Sequence, residues 1–378
     1  MSEETGTSTA NLDVTPYPGF LLADKRTEST FDEIPVIDIA KAYTGDTSAR
    51  RYLADQIRDA CVNVGFFYGD ARPVEILRML TNAPSMLTHF EVKGHRIPEE
   101  TIERTIDASK QFFSLPDAAK TELDIHKSAN SKGYTALLGE NTDVTGNGDL
   151  HEGFDMGYEP KNPSDTASQT PNASKSAMSG ENVWPEGLPE FRDAVLEYYH
   201  SALDLGRTLF PLFALALDLP ENWFADKTTQ SAAIMRLLHY PPQNPTKVDE
   251  GQIGIGAHTD YECFTILWQD KAGGLQVKNT SDKWIDAVPI PGTVVVNLGD
   301  QFARWTNDVF KSTPHRVINR SGHERYSIPL FFGTNYDVLL EPISTCVYPD
   351  STPKYEVVSA GDYVKSRLEA TYAHSATK

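Results

Sequence analysis

From residue 231 onward the apolar positions fall in short runs separated by Gly, Pro, Asn and Asp. The runs lie at residues 233–238, 263–267, 275–277, 293–298, 316–318 and 328–332. Many short strands at close spacing predict an antiparallel sandwich or barrel. Before that point the period is helical. Leu53, Ile57 and Cys61 share one face of a helix predicted over 48–64. Ile102, Ile106 and Phe113 share one face of another over 98–113, which Leu115-Pro116 ends. Residues 188–219 carry the strongest helical pattern, with Pro211 predicting a kink or break. Residues 34–39 read as a strand and 65–68 as the start of one.

The expected class is α+β with a mainly β core flanked by N-terminal helices. Residues 1–30, rich in Ser, Thr and Glu, predict a mobile tail. A mainly helical region is expected over 31–230, the β core over 231–345 and a C-terminal extension over 346–378. Residues 161–180 are rich in Ser, Pro, Asn and Ala and read as a surface loop. No internal repeat is visible.

Charge narrows the partners. A net charge of −19 opposes binding to nucleic acid phosphates and to anionic membranes. It does not oppose a small acid, because one local Arg can dominate a pocket. Three dispersed cysteines, Cys61, Cys263 and Cys346, form no disulfide framework. With no signal-peptide core, no apolar run of membrane-spanning length and no lipidation motif, the expected location is the cytosol.

Candidate chemistry rests on a few residues. His258-Thr259-Asp260 places two ligand types two residues apart, on one face if the segment is a strand. His315 follows 55 residues after Asp260, far enough for the chain to return beside it, and Pro314 suits a strand edge. Two imidazoles and a carboxylate without thiolate fit Fe(II) with open coordination positions better than structural zinc. Zinc hydrolysis stays open on ligand types alone, but the motif supplies no general base. The chain holds a second His-x-acid triplet, His89-Phe90-Glu91, and a single triplet is more often coincidence than site. Glu262 shares parity with the ligands, whereas Cys263 points away and reads as core.

Arg325 and Ser327 share a strand face and make a seat for a carboxylate. A surface salt bridge is the commoner fate of an Arg, but the following Ile328-Pro329-Leu330-Phe331-Phe332 favours burial. Tyr240 is positioned to donate to the same acid, and Arg236, of equal parity, is a second candidate anion partner. Phe331, Phe332 and Trp268 are candidate apolar lining, though such residues are more often plain core. His151 lacks the second His of a zinc-protease motif, and His95, His126, His200, His323 and His374 read as surface or packing residues.

Taken in order, these motifs resemble the isopenicillin N synthase-like 2-oxoglutarate/Fe(II)-dependent dioxygenase superfamily, in its microbial and fungal branch. The resemblance rests on Ile34-Pro35-Val36-Ile37-Asp38, Gly65-Phe66-Phe67-Tyr68, His258-Thr259-Asp260, Gly273-Gly274-Leu275-Gln276-Val277, Val296-Asn297-Leu298-Gly299-Asp300, His315-Arg316-Val317 and Arg325-Tyr326-Ser327. It implies a double-stranded β-helix (jelly roll) and iron held by His258, Asp260 and His315. It implies that Arg325, Ser327 and Tyr240 bind the far carboxylate of 2-oxoglutarate. It also implies hydroxylation or desaturation of a small molecule with O2 through a ferryl-oxo species, releasing succinate and CO2.

One departure is visible. Val92-Lys93-Gly94-His95-Arg96-Ile97-Pro98 resembles the family's continuation of the 65–68 strand, displaced by residues 69–91. That stretch reads as a surface excursion or a translated intron, and His89-Phe90-Glu91 inside it is expected to bind nothing. Two other functions compete with the first: an iron oxidase of the same fold without a keto acid, and a non-catalytic ligand-binding homologue. The oligomeric state and the prime substrate are not legible.

Overall fold

The protein is represented by a computed structural model, which describes residues 22–25, 30–70, 95–128, 130–142, 148–161, 180–243 and 253–373. The tail at 1–21, the 71–94 stretch with His89, Phe90 and Glu91, and most of the predicted loop (162–179) lie outside the described residues.

Among the described residues twelve strands form two sheets. In chain order they are β1 (Val36–Asp38), β2 (Phe66–Asp70), β3 (Gly133–Thr135), β4 (Glu152–Met156), β5 (Ala233–Tyr240), β6 (Ile255–His258), β7 (Phe264–Gln269), β8 (Leu275–Lys278), β9 (Trp284–Asp286), β10 (Val294–Leu298), β11 (His315–Val317) and β12 (Arg325–Phe332). The larger sheet has the order β1-β2-β10-β7-β12-β5-β4-β3 and the smaller β6-β11-β8-β9. Among these strands β1 and β2 pair parallel and the other pairings are antiparallel. This is the jelly-roll arrangement. Both edges of the larger sheet come from residues before 231.

Period-two alternation separates two cores. On β10, Val295 packs with Leu238, Tyr240, Ile255, Leu275 and Val317 from both sheets. Its neighbours Val294, Val296 and Leu298 face the helices instead. The helices are α1 (Thr47–Asn63), α2 (Glu99–Phe113), α3 (Asp117–Thr121), α4 (Phe191–Ala216), α5 (Asp300–Trp305) and α6 (Ala360–Ala373). Asp46 caps α1 by accepting from the backbone of Ser48 at 2.9 Å and Ala49 at 3.1 Å. Leu53, Ile57, Cys61, Ile102, Ile106 and Phe113 are all buried, as their helical spacing predicts.

α4 lies between α1 and α2 and touches β12. At the crossing, a Cβ on Gly206 would come within 2.3 Å of the Phe332 ring. Glycine therefore lets the helix backbone approach the sheet. Of the kink or break expected at Pro211, the break does not occur: α4 runs on to Ala216. So near the helix end one missing donor is tolerated, because the surrounding apolar face is buried on several sides. The three cysteines are buried and none is in a disulfide, and among the described residues no helix is long and apolar enough to cross a membrane.

Candidate metal centre and substrate cavity

His258 ends β6 and His315 opens β11, and the two are direct partners across that antiparallel pair. Their rings lie 4.3 Å apart. The chain turns after β6, and Asp260 faces both: its Oδ1 is 3.7 Å from His258 Nε2 and 3.6 Å from His315 Nε2. Two metal bonds of about 2.0–2.2 Å meeting at an angle span such separations. One ligand atom from each residue lies within 4.8 Å of the others, and this is the group of this kind among the described residues.

The remaining polar atoms of the three side chains are tied down. His258 Nδ1 donates to the Gly256 carbonyl at 2.8 Å and His315 Nδ1 to the Thr313 carbonyl at 3.2 Å. Each bond leaves Nε2 with its lone pair toward the centre. Asp260 Oδ2 accepts from Asn297 Nδ2 at 2.7 Å and from the Thr265 hydroxyl, leaving Oδ1 inward. Burial works to raise the Asp260 carboxyl, but the imidazoles of His315 and His258 and these two bonds outweigh it and hold it below the usual carboxylate value. Burial, with the His258 imidazole beside it, lowers His315 to about 4. A neutral imidazole and an ionised carboxylate are the forms that bind metal. The donor set thus fits a divalent iron.

The turn carrying Asp260 is held from β10. Asp300 N donates to the Asp260 carbonyl at 2.8 Å, and Gly299 N to that of Cys263 at 2.9 Å. A Cβ at Gly299 would sit 2.2 Å from the Glu262 carbonyl oxygen, so only glycine permits this approach. Glu262 is buried beside the cavity, accepts from Gln301 at 3.0 Å, and is pushed up to about 8 by burial. Cys263 packs in the core and belongs to no ligand group.

Arg325 is fully buried. Its Nε donates to the Gly273 carbonyl at 2.5 Å, one terminal nitrogen to Ser327 Oγ at 3.0 Å and the other to Gln269 Oε1 at 3.4 Å. The guanidinium lies 4.5 Å from the centre of the Tyr240 ring. Among the described residues no carboxylate pairs with it, so the surface-salt-bridge alternative does not hold. A buried cation without a counter-charge is costly, and an incoming carboxylate removes the cost. Ser327 and Tyr240 stand beside it, both lining the cavity that also holds the His–Asp–His group.

Arg236 is a correction. Only a second candidate anion partner from the sequence, it has its guanidinium held by two carboxylates of the protein, Asp155 and Glu140. Phe331 lines the cavity, whereas Phe332 belongs to the core and half-buried Trp268 packs against it. Sequence reasoning missed Thr265 and Asn297 as the partners of Asp260, although both stand near or in quoted motifs. It also missed Val364 and Leu368 of α6, which wall the cavity; nothing in the local sequence tied that helix to the site.

A family model of the 2OG-Fe(II) oxygenase superfamily matches residues 231–334, and one described as non-haem dioxygenase in morphine synthesis N-terminal matches 69–187. The second match takes in the stretch read as an insert. The 2-oxoglutarate-Fe(II) type oxidoreductase hxnY of Emericella nidulans is 36% identical over 90% of this chain and 91% of its own length. A homoarginine-6-hydroxylase of Glycine max is 35% identical over 83% and 89%. Among solved structures, Neurospora crassa T7H in complex with alpha-KG and thymine superposes with a TM-score of 0.72 at 30% identity, covering 90% of this chain and 97% of that one. The chain belongs to the 2OG-Fe(II) oxygenase superfamily and is a 2-oxoglutarate- and iron-dependent oxidoreductase.

Proposed function

We propose that His258, Asp260 and His315 hold the iron and that Arg325, Ser327 and Tyr240 hold the distal carboxylate of 2-oxoglutarate, in an enzyme that hydroxylates or desaturates a small organic molecule. The carrying observation is the convergence of three ligand atoms whose sister atoms are already bonded elsewhere. With 2-oxoglutarate and O2, ferrous iron supplies the oxidant that removes a hydrogen atom from a substrate carbon.

The chain's own residues supply placement. The backbone carbonyls of Gly256 and Thr313 fix the two rings, and Asn297 and Thr265 fix the carboxylate. Arg325 fixes the co-substrate at one end of the cavity by a charge-assisted pair in a dry setting. Apolar side chains around the cavity exclude water from the reacting centre. Relatives named for homoarginine and a neighbour that binds thymine support a small polar substrate over a macromolecule. The net charge of −19 opposes nucleic acid. Three buried thiols, none of them in a disulfide, suit a reducing compartment, and we place the enzyme in the cytosol.

Succinate measured against substrate turnover tests this reading. One succinate per product supports it. Product formed with O2 but without consumption of 2-oxoglutarate points to the oxidase of the same fold, with Arg325 holding the substrate's own carboxylate.

A further inference from the structure

The cavity extends along β5 beyond the co-substrate seat. Ile234, Arg236, Leu238 and Tyr240 alternate onto one face, and all four line it. Four residues of strand separate Tyr240 from Arg236, about 13 Å. The Arg325–Tyr240 end and the Arg236 end are therefore opposite ends of one wall.

At the Arg236 end, among the described residues, carboxylates outnumber cations. Asp155, its register partner on β4, accepts from Arg236 at 2.5 and 2.6 Å. Glu140 accepts from the same guanidinium at 2.8 and 2.9 Å. Behind them, His151 Nδ1 donates to the Gly254 carbonyl at 2.8 Å while Nε2 faces Glu140 Oε2 at 3.1 Å. Both ring nitrogens face acceptors, so the ring carries both protons. Burial opposes that charge, but Glu140 and Asp149 outweigh it and raise the His151 pKa. Buried Asp149, which holds the amides of Thr142 and Gly256, balances His151. One guanidinium is left between two carboxylates, and all three side chains line the cavity.

The other end balances. A ferrous ion with 2-oxoglutarate, Asp260 and Arg325 sums to neutrality. Among the described residues the excess of carboxylates over cations thus lies in the part of the cavity left for the prime substrate, where burial already raises the Asp155 carboxyl against the pull of Arg236 and a second cation would relieve that cost. Ile234, Pro329, Phe331, Val364 and Leu368 make the adjoining wall apolar.

We infer that the prime substrate is a small organic cation, a guanidinium or protonated amine on an apolar body, whose cationic group docks against Asp155 and Glu140. The inference rests on the iron and co-substrate assignment above.

The test uses the full chain loaded anaerobically with Fe(II) and 2-oxoglutarate. Probes come in cation and neutral pairs: L-homoarginine with L-homocitrulline, agmatine with N-carbamoylputrescine, L-lysine with L-norleucine. Binding is read from the shift of the visible absorption band of the loaded enzyme. In at least one pair the cation binds tighter by about tenfold or more, the size of one charge-assisted hydrogen bond. Asp155→Asn and Glu140→Gln shrink that ratio, and the ratio within one variant is insensitive to how much of it folds. Equal binding within every pair, no binding by any cation, or a ratio that survives both substitutions overturns the inference. A band that never forms before any probe is added overturns the iron and co-substrate assignment instead, and the inference with it.

Discussion

The guanidinium of Arg325 lies 4.5 Å from the ring centre of Tyr240, its register partner across the β12–β5 pair, with both side chains buried. The pairing fixes a cation at the closed end of the cavity, with its fork toward Ser327 and Gln269. If it seats the co-substrate, Arg325→Lys loses the planar fork and Tyr240→Phe loses one donor. Hydrogen bonds to charged groups contribute about 1.5–3 kcal/mol each, roughly ten- to a hundredfold in affinity. The apparent KM for 2-oxoglutarate is expected to rise by that range in Tyr240→Phe and further in Arg325→Lys. An unchanged KM in both would remove this pair from the co-substrate seat.

Asn297 restrains one oxygen of Asp260 at 2.7 Å. Partners of this kind typically contribute 10–100-fold to metal affinity. Asn297→Ala should therefore weaken Fe(II) binding by about that factor, measured by equilibrium competition with a chelator. Its melting temperature serves as the control for folding.

Gly206 presents a reversal of propensity. In a helix interior alanine is favoured over glycine by about 1 kcal/mol. Here the added methyl would meet the Phe332 ring at 2.3 Å, and Phe332 is itself stacked on Phe264. Overpacking costs about 1–3 kcal/mol and outweighs the propensity gain. Gly206→Ala is expected to lower the melting temperature; a rise would show that the ring can step aside.

Burial lowers the His95 imidazole from 6.5 to about 4, and its Nδ1 accepts from the Ile97 amide at 3.1 Å. Between those values the unfolded chain binds the extra proton and the folded chain does not. Stability from this group is thus present above about pH 6.5 and is lost as the pH falls toward 4. Denaturant unfolding over that window should show a slope that His95→Gln reduces; equal slopes would mean that another group titrates.

The candidate ligand group was legible because His258 and His315 sit in short strand motifs and Asp260 follows His258 by two residues, although it lies on the turn after β6 rather than on the strand. His258, Arg325 and Ser327 needed only period two, and the β6–β11 register brought His315 to them. Strands β7, β10 and β12 were visible as apolar runs for the same reason. What parity could not show is who meets whom across the fold. Arg236 points inward as expected, yet its partners come from 140 and 155, whose approach depends on the edge pairing of β4 with β5. α6 reaches the cavity through Val364 and Leu368 by a return path no local pattern encodes. Pro211 does not end α4, because a helix buried on several sides tolerates one lost hydrogen bond.

The proposed chemistry depends on a single ferrous ion held among His258, Asp260 and His315 with 2-oxoglutarate beside it. Anaerobic titration of the full chain with Fe(II) and 2-oxoglutarate, followed by visible absorption, tests it most directly. A weak band is expected that saturates at one iron per chain and is lost in Asp260→Ala and His315→Ala, both still folded by circular dichroism. A band of undiminished intensity in either folded variant would contradict it.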